Sequence, residues 1–204
     1  MEVFLVRHGA TEWNHLNRWQ GRTDIPLSET GRTQAAATAH YLSGILEGPS
    51  VVYSSDLSRA SETAAAIARE FSLEPVRTPL LREANIGIWN GLEISESFER
   101  HGDMINRWRN DPWIELPNTE SLGQLQSRSV GFMNYLKRNY PLQTVIVVSH
   151  ALLIKSIICY ILGMPLQNNY NFHIDNCSVS SVRFQEDKWR VIELNNWRHI
   201  VRPE

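Results

Sequence analysis

Short apolar runs alternate with stretches of helical periodicity along the 204-residue chain. The runs at residues 3–6, 51–53 and 145–148 have the length and composition of buried strands. The third is a continuous β-branched run, which is typical of a central strand in a parallel sheet. Residues 178–184 and 189–194 also show the strand pattern, and the short polar gap between them predicts a hairpin.

Apolar residues at helical spacing follow these strands. Ser28 is a preferred N-cap residue at the start of the helix that we expect over 31–46. Asp56 is placed to cap a second helix, which follows the second strand. Residues 151–162, directly after the third strand, predict a buried helix.

The segment 80–120 is less regular than the rest of the chain. It is interrupted by glycines and prolines and is rich in aromatic side chains: Gly87, Gly91, Gly102, Pro112, Pro117, Trp89, Phe98, Trp108 and Trp113. We expect short helices and loops here that cover one end of the sheet and act as a lid. A clear helical pattern returns over 121–138.

Strands that alternate with helices predict an α/β fold, a three-layer α/β/α sandwich with a mostly parallel central sheet and a small helical cap. The chain shows no repeat, low-complexity stretch or linker, so we expect one domain over 1–204 with the cap inserted at about 80–120. Ligands of such sheets bind beyond the carboxyl ends of the strands. Three chemically versatile side chains follow predicted strands at that edge: His8, Arg59 and His150.

The charge balance excludes partners held by bulk attraction. Twenty Lys and Arg against 22 Asp and Glu give a net charge of −2, so we expect neither nucleic acid nor an acidic membrane as a partner. An anion must therefore be bound by a few local cations. Cys159 and Cys177 have no metal-site spacing, and the N-terminus becomes charged after about four apolar residues, so a cytoplasmic protein is expected.

Arg7, His8 and Gly9 form the first candidate for chemistry. A guanidinium beside an imidazole favours the neutral form of the imidazole, which is a nucleophile, while the arginine can hold a phosphate bidentately. The alternative for this tripeptide is an ion pair at the end of a strand. Arg59 has a comparable alternative, in which it pairs with Asp56 or Glu62 on the surface of a helix.

These residues lie within longer motifs that follow one another along most of the chain. In order, they read RHGATEWN at 7–14, QGRTD at 20–24, PLSETGRTQA at 26–35, SSDLSRASETA at 54–64, LREANIGIWNG at 81–91 and VVSH at 147–150. Together they closely resemble the motifs of the histidine phosphatase superfamily, the phosphoglycerate-mutase-like enzymes.

The resemblance implies a role for each matched residue. His8 would attack phosphorus and become a phosphohistidine, and Glu83 would donate a proton to the leaving oxygen and then activate water. The residues implied around the phosphoryl group are Arg7, Asn14, Gln20, Gly21, Arg59, His150 and Ala151. Neither a metal nor a cofactor is implied, because arginines supply the positive charge.

The resemblance narrows the substrate less than the reaction. The residues after His150 are Ala151, Leu152 and Leu153, where a glycine pair is common in the family, and the bulkier side chains change the pocket. Mutases of the superfamily usually carry an added segment for which 204 residues leave no room, so hydrolysis of a small phosphorylated metabolite is favoured. The end of the chain resembles metal-independent phosphoserine phosphatases, in which His199 would help to recognise the amino acid.

Phosphoserine is therefore the first candidate substrate. The alternatives are a phosphoglycerate mutase, an α-ribazole phosphatase, a broad-specificity sugar or acid phosphatase and, from another class, a non-catalytic module that binds phosphorylated ligands. Loss of activity would be expected to show at His8, Arg59, Glu83 or His150, and all four are present. Both a monomer and a homodimer are open, with apolar positions of the hairpin at 179–191 as a candidate dimer edge.

Overall fold

A six-stranded sheet forms the middle of the protein in a computed structural model, which describes residues 1–200. The strands are β1 (Glu2–Arg7), β2 (Val51–Ser55), β3 (Val76–Thr78), β4 (Thr144–Ser149), β5 (Val179–Gln185) and β6 (Lys188–Asn196). Their order across the sheet is β3-β2-β4-β1-β5-β6, with β1 to β4 parallel and β5 and β6 antiparallel to their neighbours. The predicted mostly parallel sheet is confirmed, and the strand at 145–148 lies between β2 and β1 as expected.

Helices cover both faces of this sheet. They are α1 (Glu12–His15), α2 (Glu29–Ile45), α3 (Ser58–Glu70), α4 (Ile94–Asn110), α5 (Leu122–Asn139) and α6 (Ala151–Leu162). Single 3₁₀ turns occur at Pro79–Leu81 and Gly87–Trp89, and a longer one occurs at Leu166–Asn171.

The alternation of side chains along the central strands builds two cores. Phe4 and Val148 are buried on one face of the sheet, together with apolar residues of α2 and α3. Leu5 and Val147 are buried on the other face, with apolar residues of α4, α5 and α6. Because successive strand residues point to opposite faces, this arrangement is a three-layer α/β/α sandwich, as predicted.

The predicted helix caps have different outcomes. Ser28 is the N-cap of α2, and its hydroxyl accepts a hydrogen bond from the backbone of Gly31 at 3.1 Å. The prediction that Asp56 caps α3 is wrong, because Leu57 occupies the N-cap position. The Asp56 carboxylate instead accepts two hydrogen bonds from Arg82, at 2.7 and 2.6 Å. A bidentate pair with a cation is stronger than a single bond to a backbone amide, which explains the exchange.

The segment 80–120 contains short helices, 3₁₀ turns and loops, as its composition indicated. The helical run α4 consists of two shorter helices that meet at a kink at His101, where φ is −136° and the backbone is not helical. Trp89 and Trp108 are buried and meet edge to face, with ring centroids 5.5 Å apart. This part of the chain thus belongs to the core; its movement as a lid, and the assignment of 1–204 to one domain, stay predictions.

Two short elements differ from the sequence pattern. Strand β3 was not predicted, because its three residues are too few for a periodic signal. The hairpin of β5 and β6 is tighter than the polar gap indicated, since only Glu186 and Asp187 separate the strands and both have positive φ. Within residues 1–200, no helix has the length and apolar character needed to cross a membrane.

A close approach between α2 and the chain after β1 makes Gly31 sensitive to substitution. A Cβ at Gly31 would overlap the carbonyl oxygen of Ala10, whereas a Cβ at Gly44, on the same helix, meets no atom within 4 Å. We expect Gly31→Ala to lower the free energy of unfolding by about 1–3 kcal/mol or more through overpacking. Urea unfolding of both variants, followed by circular dichroism, measures the difference.

Gly44→Ala is the matched control. We expect it to stabilise the protein by about 0.5–1 kcal/mol, because alanine is the better helix former. Equal effects of the two substitutions would contradict the close approach between Gly31 and Ala10.

Candidate active site

The carboxyl ends of β1, β2 and β4 bring three predicted residues together. His8 directly follows β1, His150 directly follows β4, and Arg59 lies in the first turn of α3, after β2. The rings of the two histidines have centroids 5.1 Å apart, and all three side chains are buried. Parallel strands end at the same edge of a sheet, so three distant motifs form one cluster.

The imidazole of His8 is held in one orientation by the next residue. Its Nδ1 lies 2.7 Å from the carbonyl oxygen of Gly9. A carbonyl can only accept, so Nδ1 carries the proton and Nε2 of the neutral ring keeps its lone pair. Burial, with the cations of Arg59 and Arg7 nearby, holds the pKa of His8 well below its ordinary value. His8 is therefore a neutral imidazole with a free nitrogen at neutral pH.

His150 occupies the N-cap position of α6. Both of its ring nitrogens are buried and have no hydrogen-bond partner among the described residues. Burial lowers the pKa of His150 well below its usual range, and the Arg59 cation and His8 contribute in the same direction. An unpaired buried donor is costly, so this ring is ready to bind an incoming acceptor.

Arg59 is 0% exposed and anchors the loop that follows α1. Its guanidinium donates to the carbonyl oxygens of Thr23 and Gly21, each at 2.8 Å, and its Nε has no partner among residues 1–200. Burial lowers the pKa of Arg59 to about 10, so the group stays charged at neutral pH. The surface ion pairs considered for it do not form, since Asp56 binds Arg82 and Glu62 binds Arg32.

Arg7 brings a second cation to the same place. Its Nη1 donates to the carbonyl oxygen of Ile174 at 2.7 Å, and its buried Nε has no partner in the described part of the chain. Burial lowers the pKa of Arg7, while the nearby carboxylates of Glu83 and Asp175 oppose that effect. One buried and one partly buried cation beside two neutral imidazoles create a pocket for an anion.

Glu83 points its carboxylate towards the N-terminus of α6. One oxygen accepts from the backbone of Ala84 at 3.0 Å, and the other accepts from the backbone of Leu152 at 3.1 Å. Leu152 is the second residue of α6, next to Ala151, the first helical residue after His150. The carboxylate is thus fixed beside the cluster rather than solvated at the surface.

The predicted asparagine is also oriented by its neighbours. The Oδ1 of Asn14 accepts from the backbone and the hydroxyl of Thr11, at 3.0 and 3.1 Å, and from Asn176 at 3.4 Å. Asn176 donates in addition to the carbonyl oxygen of His8 at 3.0 Å. These bonds occupy Oδ1 of Asn14, and its NH₂ group remains as a donor.

Gln20 and Gly21 belong to the loop after α1 that Arg59 binds, and they form one wall of the pocket. Gly21 has a φ of +46°, and a Cβ there would overlap Oδ1 of Asn90, so the position requires glycine. The Oε1 atom of Gln20 is buried without a hydrogen-bond partner among residues 1–200. The loop therefore presents unsatisfied polar groups beside the buried arginine.

His199 packs against α2 through Thr38 and Tyr41. Its Nε2 lies 3.0 Å from the hydroxyl of Thr38 and 3.2 Å from the carbonyl oxygen of Cys177, and its ring stacks on Tyr41 at 4.5 Å. A cavity of about 250 Å³ is lined nearby by residues that include Asn176, the partner of His8. The role of His199 in substrate recognition stays a prediction.

One supporting network gave no signal in the sequence. Glu120 binds Arg22 at 3.1 Å and Arg128 at 2.7 Å, and all three side chains are at least partly buried. Both arginines also donate to the carbonyl oxygen of Glu83, at 3.3 and 3.1 Å. Arg22 lies in the motif at 20–24, but Glu120 and Arg128 lie outside the motifs and far from Glu83 in sequence, so only the fold shows that the three residues position Glu83.

The cluster as a whole combines a neutral imidazole with a free lone pair, a carboxylate and two guanidinium cations. Within residues 1–200, no group of three or more His, Cys, Asp or Glu side chains is placed to hold a metal ion. The positive charge at this edge comes from Arg7 and Arg59, which suits a doubly negative phosphoryl group whose charge is spread over its oxygens.

Comparison with known proteins agrees with this geometry. Phosphoserine phosphatase 1 of Hydrogenobacter thermophilus is 34% identical over 201 residues, covering 98% of this chain and 94% of that protein. The metal-independent phosphoserine phosphatase of Arabidopsis thaliana is 34% identical over 204 residues, covering 98% and 83%. A mutant phosphoserine phosphatase of Entamoeba histolytica in complex with phosphoserine superposes with a TM-score of 0.88 at 27% identity, covering 98% and 99%.

The family comparison covers nearly the whole chain. Residues 3–197 match the family described as the histidine phosphatase superfamily, branch 1. The match includes both histidines and both arginines of the buried cluster. This chain belongs to the histidine phosphatase superfamily.

Proposed function

We propose that this protein is a phosphatase that hydrolyses phosphoserine through a phosphohistidine on His8. The observation that carries the proposal is the state of that side chain. A neutral imidazole, with Nδ1 bonded to the Gly9 carbonyl and Nε2 free, lies near the buried Arg59 and the partly buried Arg7. A fixed lone pair at the base of a cationic pocket is what attack on a phosphoryl group requires.

The first half of the reaction transfers the phosphoryl group to the protein. The lone pair of His8 Nε2 forms a bond to phosphorus while the bond from phosphorus to the ester oxygen breaks. Glu83 gives a proton to that oxygen, which leaves as the hydroxyl of the product. The two backbone amides that bind Glu83 hold its carboxyl at the edge of the pocket, beside His150.

The second half regenerates the imidazole. Glu83, now a carboxylate, removes a proton from water, whose oxygen forms a bond to phosphorus. The bond between phosphorus and Nε2 breaks, its electron pair returns to His8, and inorganic phosphate leaves. The same carboxyl group therefore acts first as an acid and then as a base.

The remaining predicted residues stabilise charge on the phosphoryl oxygens. Arg7 and His150 offer buried N–H groups that have no partner among residues 1–200, and Asn14 offers its NH₂ group. Ala151 adds a backbone N–H from the first turn of α6, where the helix dipole also favours an anion. Arg59 and the wall of Gln20 and Gly21 close the opposite side.

Phosphoserine is proposed as the substrate because of the similarity to phosphoserine phosphatases over almost the whole chain. No feature of residues 1–200 favours phosphoryl transfer between positions of phosphoglycerate over hydrolysis. No such feature favours α-ribazole phosphate or a broad range of sugar or acid phosphates over phosphoserine as the substrate. The intact set of His8, Arg59, Glu83 and His150 also argues against a module that only binds phosphorylated ligands.

Replacement of the nucleophile tests the reaction. We expect His8→Ala to lower the rate of p-nitrophenyl phosphate hydrolysis by about 10³-fold or more, because no other group can accept the phosphoryl group. The activity of the unmodified protein is expected to persist in EDTA. Release of p-nitrophenol, followed by absorbance, measures both.

His15→Ala is the matched control, because the His15 side chain is exposed and contacts none of the residues of the buried cluster in the described hydrogen bonds. It is expected to retain activity. Activity that disappears with EDTA, or that survives His8→Ala, would contradict the mechanism.

The effect of replacing Glu83 on the rate should depend on the leaving group of the substrate. We expect Glu83→Gln to slow phosphoserine hydrolysis by about 10²- to 10⁴-fold, since the serine oxygen needs a proton to leave. p-Nitrophenolate leaves without one, so its release should show a burst of one equivalent per active site before a slow steady state limited by the attack of water. Rapid-mixing absorbance measures the burst.

A slow release of p-nitrophenol without a burst would contradict the two roles of Glu83. It would show that the carboxyl acts in phosphoryl transfer to His8 itself, whatever the leaving group.

A further inference from the structure

A second group of cations lies beside the pocket and is not used by the proposed mechanism. The guanidinium carbon of Arg109, on α4, lies 4.7 Å from the ring centre of Phe98 and 4.3 Å from that of Tyr170. The ammonium nitrogen of Lys155, on α6, lies 5.8 Å from the ring centre of Tyr170 and 5.6 Å from that of Phe172. One aromatic ring, that of Tyr170, is thus shared by two cations.

Lys155 is connected to the site through α6. It lies three residues after Leu152, whose backbone amide binds Glu83 at 3.1 Å, so the two positions share one face of the helix. The pKa of Lys155 is lowered mainly by burial, and the cations of Arg7 and Arg109 add to the effect while Glu83 opposes it. Lys155 therefore lies near enough to Arg7, Glu83 and Arg109 to interact with their charges.

These two cations have no carboxylate partner. Among residues 1–200, eight ion pairs are formed, and none of them includes Lys155 or Arg109. The Nε of Arg109 is buried without a hydrogen-bond partner in the described part of the chain. Partly buried charges that lack an internal partner are unfavourable, so an anion bound here would remove a cost.

Tyr170 adds a neutral donor to the same place. Its hydroxyl is buried near the side chains of Arg109 and Asn169, but makes no bond of good hydrogen-bond geometry to any of residues 1–200. Burial raises the pKa of Tyr170 to about 12, against the opposite effect of these two side chains, so the hydroxyl keeps its proton at neutral pH. Tyr170 belongs to the 3₁₀ helix Leu166–Asn171, which follows α6 in the chain. Its ring contacts α4 through the side chain of Arg109.

We infer that Lys155, Arg109 and Tyr170 form a second anion subsite that binds the carboxylate of the substrate while its phosphoryl group lies against His8. The inference rests on the proposed function for the position of the phosphoryl group. Phe98 and Tyr170 contact the guanidinium of Arg109, which leaves its edge N–H groups to meet the two oxygens of a planar carboxylate. Lys155, whose ammonium shares the ring of Tyr170 with Arg109, supplies a second positive charge for the carboxylate.

This subsite should distinguish substrates by the presence or absence of a carboxylate. Phosphoserine and phosphoethanolamine carry the same phosphoryl ester and the same amine, and only phosphoserine has a carboxylate. Binding to a His8→Ala protein, measured by calorimetry, compares them without turnover. We expect phosphoserine to bind at least about 10-fold more tightly than phosphoethanolamine.

Lys155→Met in the same background tests the cation while keeping the length of the side chain. It should weaken phosphoserine binding by roughly 10- to 100-fold, the size expected for a lost charge-assisted hydrogen bond, and phosphoethanolamine binding by less than about 3-fold. Lys155→Arg should retain the preference for phosphoserine. Lys188→Met, which removes an exposed lysine from the hairpin, should leave both affinities unchanged.

Equal affinities for the two ligands, or an equal loss of both in Lys155→Met, would overturn the subsite. Hydrolysis of p-nitrophenyl phosphate by the unmodified protein would in that case still support the phosphatase. Conversely, a carboxylate preference that depends on Lys155 in a protein without phosphatase activity would retain the subsite and remove the proposed reaction.

Discussion

The hydrogen bond of 2.7 Å between His8 Nδ1 and the Gly9 carbonyl fixes the chemistry of the whole site. It depends on a tightly packed backbone, because Gly9 donates its own N–H to Thr63 at 3.1 Å and a Cβ at Gly9 would lie 2.5 Å from the carbonyl oxygen of Gly31. Ala10 is tied in turn to Gln34 at 2.9 Å. The helices behind β1 thus determine which nitrogen of His8 is free.

The same packing explains why cations can be buried here at all. Arg59 directs two of its N–H groups to backbone carbonyl oxygens, and Arg7 directs one. These bonds offset part of the cost of desolvation without neutralising the charge. A carboxylate partner for either arginine would have stabilised the empty pocket and weakened its binding of a phosphoryl group. Glu83, bound to backbone amides instead, stays available for proton transfer.

The parts of this site that could be predicted from the sequence are those carried by strong local signals. The apolar runs before His8 and His150 identified two strand ends, and Ser28 identified the start of α2. Asp56 misled because its local position suited a cap, whereas its pairing with Arg82 depends on the approach of a distant segment. Capping is a local interaction, and ion pairs between remote residues have no periodic signature.

The supporting residues show the same limit. Glu120, which holds two arginines against the Glu83 carbonyl, lies in a segment whose glycines and prolines indicated loops. Arg109 and Tyr170 are far apart in sequence and meet only in the folded chain, where α4 approaches the 3₁₀ helix Leu166–Asn171. The side chains that position the site or select the substrate could therefore be identified only from the fold. The proposed reacting groups could be identified from the motifs that resemble those of the family.

The protonation of His8 can be observed directly by ¹⁵N nuclear magnetic resonance of the imidazole in the unmodified protein. A neutral ring with its proton on Nδ1 is expected at pH 7, and it should remain neutral well below the ordinary histidine pKa of about 6.5, because burial and the two arginines oppose protonation. A proton on Nε2 at pH 7, or titration of His8 near pH 6.5, would contradict a nucleophile prepared by the fold.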